Sequence, residues 1–292
     1  IPPGIDPSFS PDGSRVVFTW NGSRQDNFDL YLKAVGSQEG TRLTRTPEPE
    51  YSPAWSPDGK SIAFCRGGSQ NDSSIWLISP DGATERKLAD LTWTAVAGSR
   101  FLTWSPDSKR LVFAGSPKGD NVAGLLEIDV ATGTSRYLTR APAGAVEMHP
   151  AYAPDGHAVA FVRDISRGIG RILILPMKKD GGAAGPPVPL MWPGFESSHV
   201  AKPVWTSDSS YLFFASNRNS EQYPWVVKAE PGATPRLFSA LGSGVMDGAI
   251  SSTGDLAMVR ERLDIDILRI DLGRLRRGES VTPQPVVNSN RL

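Results

Sequence analysis

Short apolar segments alternate with polar turns along the whole chain, and this pattern predicts β-strands. The first copy has Phe9, then the turn Ser-Pro-Asp-Gly at residues 10–13, then a largely apolar run at residues 15–18. Proline presets the second position of a type I turn, and glycine takes the left-handed conformation that closes the hairpin. Each copy therefore predicts a strand, a tight turn and a second strand, with the turn aspartate bound to its own backbone.

The turn recurs at nearly regular intervals. Its aspartate position is occupied, in chain order, by Asp12, Asp58, Asp107, Asp155, Asp208 and Thr253. Successive copies are 46, 49, 48, 53 and 45 residues apart. Six units of this size are typical of a propeller or a solenoid.

Each unit contains four strand-like segments and almost no helical periodicity. We therefore predict an all-β fold, a six-bladed β-propeller of four-stranded antiparallel blades. The chain starts at an inner strand and stops after an outer one, which fits a closed ring better than a solenoid with exposed ends. We expect a single domain over residues 1–292, with blades at about residues 1–46, 47–92, 93–141, 142–194, 195–241 and 242–292.

Charge and composition exclude several classes of partner. The 292 residues include 31 Lys and Arg and 31 Asp and Glu, so the chain lacks the basic excess of a nucleic-acid-binding domain. No run of 18 apolar residues occurs, which argues against membrane insertion. We expect a monomeric domain. Because Ile1 replaces the usual Met and no signal peptide follows, we expect a piece of a longer chain or a mature form.

The sequence lacks the common catalytic motifs: Gly-x-Ser-x-Gly, the Walker loop, His-Glu-x-x-His and Cys-x-x-Cys. The histidines, His149, His157 and His199, are far apart. Cys65 lies in an apolar run, where a buried hydrophobic role is expected. We therefore predict no enzyme activity, no catalytic residues, no metal and no cofactor.

The second repeat resembles the WD40-like repeats of the TolB propeller family. Its residues 52–64 read Ser-Pro-Ala-Trp-Ser-Pro-Asp-Gly-Lys-Ser-Ile-Ala-Phe, which matches the family pattern almost residue for residue. The resemblance covers the whole chain. It implies the propeller fold and says little about function, since one fold supports many functions.

A narrower resemblance involves residues 18–22, 27–33, 162–170 and 249–272. These segments are similar to the C-terminal propellers of CadC-like winged-helix regulators and of some bacterial serine/threonine kinases. In those families the propeller is a sensory or interaction module joined to an output domain. The resemblance implies a non-enzymatic sensor, or a module that binds a protein or ligand, within a larger bacterial regulatory protein.

Two alternatives remain open. The chain is a free-standing periplasmic scaffold like TolB, or it is the substrate-gating propeller of a prolyl-oligopeptidase-like hydrolase whose catalytic domain lies elsewhere. A propeller lyase or hydrolase acting on sugars would need an acid–base or metal-ligand cluster that the sequence barely supplies. A periplasmic or other extracytoplasmic location is favoured over the cytoplasm.

One repeat position predicts a ring of residues around the central channel. Six residues before each turn aspartate position, where the chain enters the inner strand, lie Asp6, Ser52, Phe101, His149, Lys202 and Asp247. We expect Asp6, Ser52, Arg100, His149, Lys202 and Asp247 to line a channel mouth that binds a protein, a peptide or a small polar ligand. Closure of the ring would place Asp247 beside Asp6, with Lys202 one blade away.

Polar residues are also expected at any water-filled channel mouth, so the alternative is a wet surface without a ligand. We place the binding surface on the face that carries these residues, because the opposite face carries short turns committed to their own backbone. Trp55, Trp104 and Trp205 share one repeat position and predict packing between blades. Trp20, Trp93 and Trp192 are predicted as candidates for exposed contacts.

Overall fold

The computed structural model describes residues 6–23, 25–69, 72–92, 101–120, 122–166, 169–190, 192, 195, 198–219, 221–261, 265–277 and 279–288. The fold is all-β, as predicted, and its strands form antiparallel sheets in groups of four consecutive strands. Each group begins with the strand that precedes a Ser-Pro-Asp-Gly-type turn.

The first sheet consists of β1 (Ser8–Phe9), β2 (Arg15–Trp20), β3 (Asp29–Ala34) and β4 (Gly40–Arg42). The second group is β5 (Glu50–Trp55), β6 (Ile62–Ser69), β7 (Asp72–Ile78) and β8 (Glu85–Thr92). The third group is β9 (Leu102–Trp104), β10 (Arg110–Pro117), β11 (Gly124–Asp129) and β12 (Ser135–Tyr137).

The fourth sheet consists of β13 (Val146–Tyr152), β14 (Ala158–Ser166), β15 (Ile169–Pro176) and β16 (Val188–Pro189). The fifth is β17 (Val200–Trp205), β18 (Tyr211–Asn219), β19 (Glu221–Lys228) and β20 (Arg236–Leu237), followed by a 3-10 helix at Ser239–Leu241. The sixth is β21 (Val245–Ile250), β22 (Asp255–Glu261), β23 (Ile265–Asp271) and β24 (Gln284–Asn288), with the short helix α1 (Leu272–Arg276) before its last strand.

The second and third groups are not separate sheets, which differs from the prediction. Strand β8 runs on to Thr92, the last residue of the predicted second blade, and β10 extends to Pro117. The two extensions pair, with Ser116 opposite Thr92 and Pro117 opposite Leu91, and they form one eight-stranded sheet. The extra pairing satisfies backbone groups that a shorter strand would leave to solvent.

The turn geometry follows the sequence prediction. Gly13, Gly59, Gly156 and Gly254 all have φ between 71° and 89°. Ser108 and Ser209 occupy the same left-handed position with φ of 58° and 57°. Their hydroxyls explain the exception, because each accepts a hydrogen bond from the turn of the preceding sheet. Asp58 N donates to Ser108 Oγ at 3.0 Å, and Asp155 N donates to Ser209 Oγ at 3.0 Å.

Three tryptophans pack between adjacent sheets, as predicted. Trp55, Trp104 and Trp205 are each 6% exposed. The indole of Trp104 donates to Ala54 O and that of Trp205 donates to Ala151 O, both at 2.9 Å and both in the preceding sheet. The Trp55 indole instead donates to Gly59 O in its own turn at 3.3 Å.

Contacts link each sheet to the next, and the last sheet to the first. The inner strands β5, β9, β13, β17 and β21 contact one another in sequence, β1 contacts β5, and β21 contacts β1. Phe9 and Val16 share an apolar cluster with Ala249 and Val259 from the sixth sheet. Ser252 Oγ also donates to Pro11 O at 2.5 Å.

The first testable prediction concerns the turn. Gly59→Val places a β-branched residue at φ +74°, where L side chains are strained, so we expect a loss of about 1–2 kcal/mol in the free energy of unfolding. Gly40→Val is the control, because Gly40 lies in an edge strand, its φ is ordinary, and an added Cβ would make only normal contacts. Denaturant unfolding measures both variants. Equal stability of the two would contradict the turn assignment.

Candidate functional site

The six residues that precede the turns by six positions are buried at the centre of the molecule. Each is at most 7% exposed: Asp6, Ser52, Phe101, His149, Lys202 and Asp247. We call this set the axial ring. These side chains are therefore buried rather than exposed to solvent, and the binding of a protein, a peptide or a small polar ligand by this set stays a prediction.

The backbone is locally distorted at three members of the axial ring. Ser52, His149 and Lys202 have φ of 54°, 56° and 52°, a left-handed conformation that is uncommon outside glycine. Each coincides with a register shift in its inner strand. A proline follows each of them. Since proline has no N–H for the strand ladder, it belongs at such a bulge.

Lys202 joins the first, fifth and sixth sheets. Its Nζ donates to Asp6 Oδ1 at 2.8 Å and to Asp247 Oδ2 at 3.0 Å. Ser52 Oγ also donates to Asp6 Oδ2 at 3.4 Å, and Gly248 N donates to Asp247 Oδ1 at 2.7 Å. The predicted neighbourhood of Asp6, Lys202 and Asp247 is confirmed, and the three residues are called the axial ion cluster below.

The axial ion cluster holds two carboxyl groups around one ammonium group. Burial raises the pKa of Asp6 to about 7; Lys202 opposes this shift, and the nearby Asp247 adds to it. Near neutral pH the cluster therefore exchanges between a neutral state and a state with one excess negative charge.

Two acidic residues that precede members of the axial ring by two positions have structural partners. Glu50 accepts hydrogen bonds from Thr44 and from Arg66, with Arg66 Nε at 2.9 Å. Glu147 two repeats later is held in the same way by Thr139 and Arg163. These pairs connect the end of one repeat to the start of the next, which is a packing role.

The structure tests one of the remaining predicted contact residues, Trp192, and does not describe two others. Trp192, a candidate for an exposed contact, is 6% exposed and stacks on Phe214 with ring centroids 5.0 Å apart, so that prediction is wrong. Phe195 packs against both rings, and this apolar surround explains the burial. Arg100 and Trp93 lie outside the described residues.

A cavity of about 480 Å³ lies along the axis on the face that carries the Ser-Pro-Asp-Gly turns. All six inner strands contribute to its wall. One aromatic position, three residues before the turn aspartate, contributes Phe9, Trp55, Trp104, Tyr152 and Trp205, and the turns themselves contribute Pro11, Pro57, Pro106 and Pro154. Its volume lies within the usual range of ligand-binding pockets.

The wall of this cavity is uncharged. None of the described residues that line it is Asp, Glu, His, Lys, Arg or Cys. Two of its hydroxyls are engaged with a neighbouring sheet: Ser8 Oγ accepts from Trp55 N at 2.9 Å, and Thr103 Oγ1 accepts from Tyr152 N at 3.0 Å. The cavity is therefore suited to an apolar group.

The axial ring lies directly beyond this cavity. Pro7, Pro53, Leu102 and Pro150 line the cavity, and each immediately follows a member of the axial ring in the chain. The inner end of the cavity is thus next to a buried layer. The cavity was not predicted from the sequence, because the binding surface was predicted on the opposite face; the repeated aromatic and proline positions were a usable signal for it.

Among the described residues, no group of three or more His, Cys, Asp or Glu side chains is arranged to hold a metal ion. No described helix is long and apolar enough to span a membrane.

No protein-family model and no curated protein matches the chain. Solved structures do. TolB from Acinetobacter baumannii is 16% identical with a TM-score of 0.70, over 96% of this chain and 67% of that chain. Oligogalacturonate lyase from Vibrio parahaemolyticus is 15% identical with a TM-score of 0.59, over 96% and 77%. A prolyl endopeptidase is 16% identical with a TM-score of 0.58, over 96% and 41%.

These similarities define the class of fold, a TolB-like β-propeller, and at such identities they define nothing beyond the fold. The chain spans 41% of the prolyl endopeptidase, so that protein contains a large part without a counterpart here. Function has to be argued from this chain's own residues.

The second prediction concerns Asp6. Its folded-state pKa of about 7 lies above the ordinary value of 3.8, so its protonation favours the folded state. This contribution is full below about pH 4 and is lost as the pH rises through 7. Between pH 5 and 8 we expect the free energy of unfolding of the wild type to fall relative to Asp6→Asn by on the order of 2–3 kcal/mol.

Asp12→Asn is the control for this experiment. Hydrogen bonds from Ser10 and Ser14 lower the pKa of Asp12 to about 2, so its carboxylate stays ionised over the same interval. Chemical denaturation at several pH values compares the three proteins. Parallel pH profiles for wild type and Asp6→Asn would show that Asp6 does not titrate as described.

Proposed function

We propose that this chain is a closed six-bladed propeller that works as a non-enzymatic binding module, and that an apolar group of its partner occupies the cavity on the turn face. The observation that carries the proposal is the cavity of about 480 Å³ with its uncharged, aromatic and proline-rich wall. Acid–base, nucleophilic or metal catalysis needs ionisable groups, and the described lining residues provide none besides Tyr152.

Three observations support the closed ring of six blades. The chain contains six consecutive groups of four antiparallel strands. The inner strand β21 contacts β1. Lys202 binds Asp6, so a residue that precedes the first strand is held against the fifth and sixth sheets.

Of the roles that the sequence left open, the likeness to TolB favours a scaffold that binds a protein partner over the sensory module of a regulator. We propose an extracytoplasmic scaffold on the same ground. A gating propeller of a peptidase is the second candidate, because the chain matches 41% of a prolyl endopeptidase and its cavity lies on the axis.

The third prediction tests occupation of the cavity with benzyl alcohol, a small uncharged probe. Ser207 lines the cavity and is exposed. Ser207→Trp would place an indole in the cavity, and we expect it to weaken binding of the probe at least tenfold. Ligand-observed NMR titration measures the affinity. The matched control is Ser135→Trp, which changes an exposed serine on the outer strand β12.

Unchanged binding in Ser207→Trp would contradict the assignment of the cavity as the site. Cleavage of oligogalacturonate or of a proline-containing peptide by the purified chain would contradict the non-enzymatic role.

A further inference from the structure

The wall of the cavity is uncharged, whereas charged groups lie beyond it. Its wall carries no ionised side chain among the described lining residues. The axial ion cluster, whose Asp6 directly precedes the lining residue Pro7, has two carboxyl groups for one ammonium group. With all three groups ionised, one negative charge is left in excess, and Asp6, Lys202 and Asp247 are all buried.

The outer end of the cavity has acidic neighbours as well. Pro11, Pro57, Pro106, Pro154 and Ser207 line the cavity, and each directly precedes a turn aspartate. Hydrogen bonds from Ser10 and Ser14 hold the pKa of Asp12 near 2. Burial opposes the same shift at Asp58, but hydrogen bonds from Ser56 and from Lys60 N outweigh it and lower the pKa.

The basic residues of these turns lie further from the cavity wall in the chain. They follow the turn aspartates by two or three positions: Arg15, Lys60, Lys109 and Arg110. One of them is already engaged, since Arg110 binds Asp107 at 2.9 Å. Arg15 lies 4.9 Å from the centre of the Trp55 ring. Carboxylates are therefore chain neighbours of lining residues at both ends of the cavity, while Arg15 lies against the wall residue Trp55.

We propose that the cavity selects ligands that combine an apolar body with a positively charged group, such as a primary ammonium. This inference rests on the proposed binding function and specifies the chemical class of the ligand. The apolar body contacts the proline and aromatic wall, and the cation faces the excess negative charge.

Two physical effects produce this selectivity. A buried charge interacts across a few ångströms of protein far more strongly than across water, so the ion cluster sets the potential at the inner end. Aromatic rings add to it, since their π-faces attract cations. An anion meets repulsion from the same groups, and a neutral ligand gains from neither effect.

Protonation of Asp6 changes the net charge of the axial ion cluster, so a change of pH tests the role of that charge without a mutation. Because the pKa of Asp6 is raised to about 7, the cluster is neutral at pH 5 and carries its excess charge at pH 8. Lys202, Asp247 and Ser52 contact Asp6. Burial and, to a smaller extent, Asp6 raise the pKa of the nearby Cys65 thiol, so this group adds no charge. Cation selectivity therefore rises with pH.

The fourth prediction uses benzylamine, benzyl alcohol and benzoate, three probes of similar size that are cationic, neutral and anionic at pH 8. We expect benzylamine to bind about tenfold more tightly than benzyl alcohol, and benzoate to bind most weakly. In Asp6→Asn the ratio between amine and alcohol should fall to about twofold. For wild type at pH 5 it should fall in the same way, which keeps the test decisive if the variant does not fold.

A second pair of variants tests the acidic residues at the outer end. Asp58→Asn should reduce the preference for benzylamine. Asp81→Asn should not, since Asp81 belongs to an identical Ser-Pro-Asp-Gly turn between β7 and β8, with Ser79 Oγ donating to it at 2.5 Å, and contributes nothing to the cavity wall.

Equal affinity for benzylamine and benzyl alcohol at pH 8 would overturn this inference and leave the proposed binding function intact. A preference that survives both Asp6→Asn and pH 5 would also overturn it. Failure of all three probes to bind would overturn the inference together with the proposed function.

Discussion

The arrangement of the first, fifth and sixth sheets depends on one ammonium group. Lys202 lies between Asp6 and Asp247 at 2.8 and 3.0 Å, and all three side chains are buried. Burying a charge without a partner destabilises a fold strongly, so each residue requires the other two to be in place. Since Asp6 comes before the first strand, this contact also ties the start of the chain to its last repeats.

The repeated turn could be predicted from sequence because its cause is local. A proline and a glycine two residues apart in Ser-Pro-Asp-Gly leave few backbone conformations, and Gly13 and Gly59 adopt the expected one. The pairing of β8 with β10 was missed, since it depends on how far two strands extend beyond their apolar cores. Ser108 and Ser209 show the same limit: the reason for their left-handed backbone is a hydrogen bond from the turn of the preceding repeat, which lies about 50 residues away in the chain.

The candidate site was predictable in part. A fixed offset from the turn placed Asp6, Lys202 and Asp247 together, because equivalent positions of a repeat converge on a common axis. Their burial did not follow from that offset, as it depends on how closely six strands approach one another. The cavity could not be predicted for the same reason: five aromatic residues share a repeat position, but only their convergence in space produces one uncharged wall.

The most direct test of this account is the stability of variants of the axial ion cluster. Lys202→Met leaves two buried carboxyl groups without their cation, and the account predicts a loss of about 3–5 kcal/mol in the free energy of unfolding at pH 8. The triple variant Asp6→Asn, Lys202→Met, Asp247→Asn removes all the charges together and should recover most of that loss. A Lys202→Met protein within about 1 kcal/mol of wild type would contradict the central role of this contact.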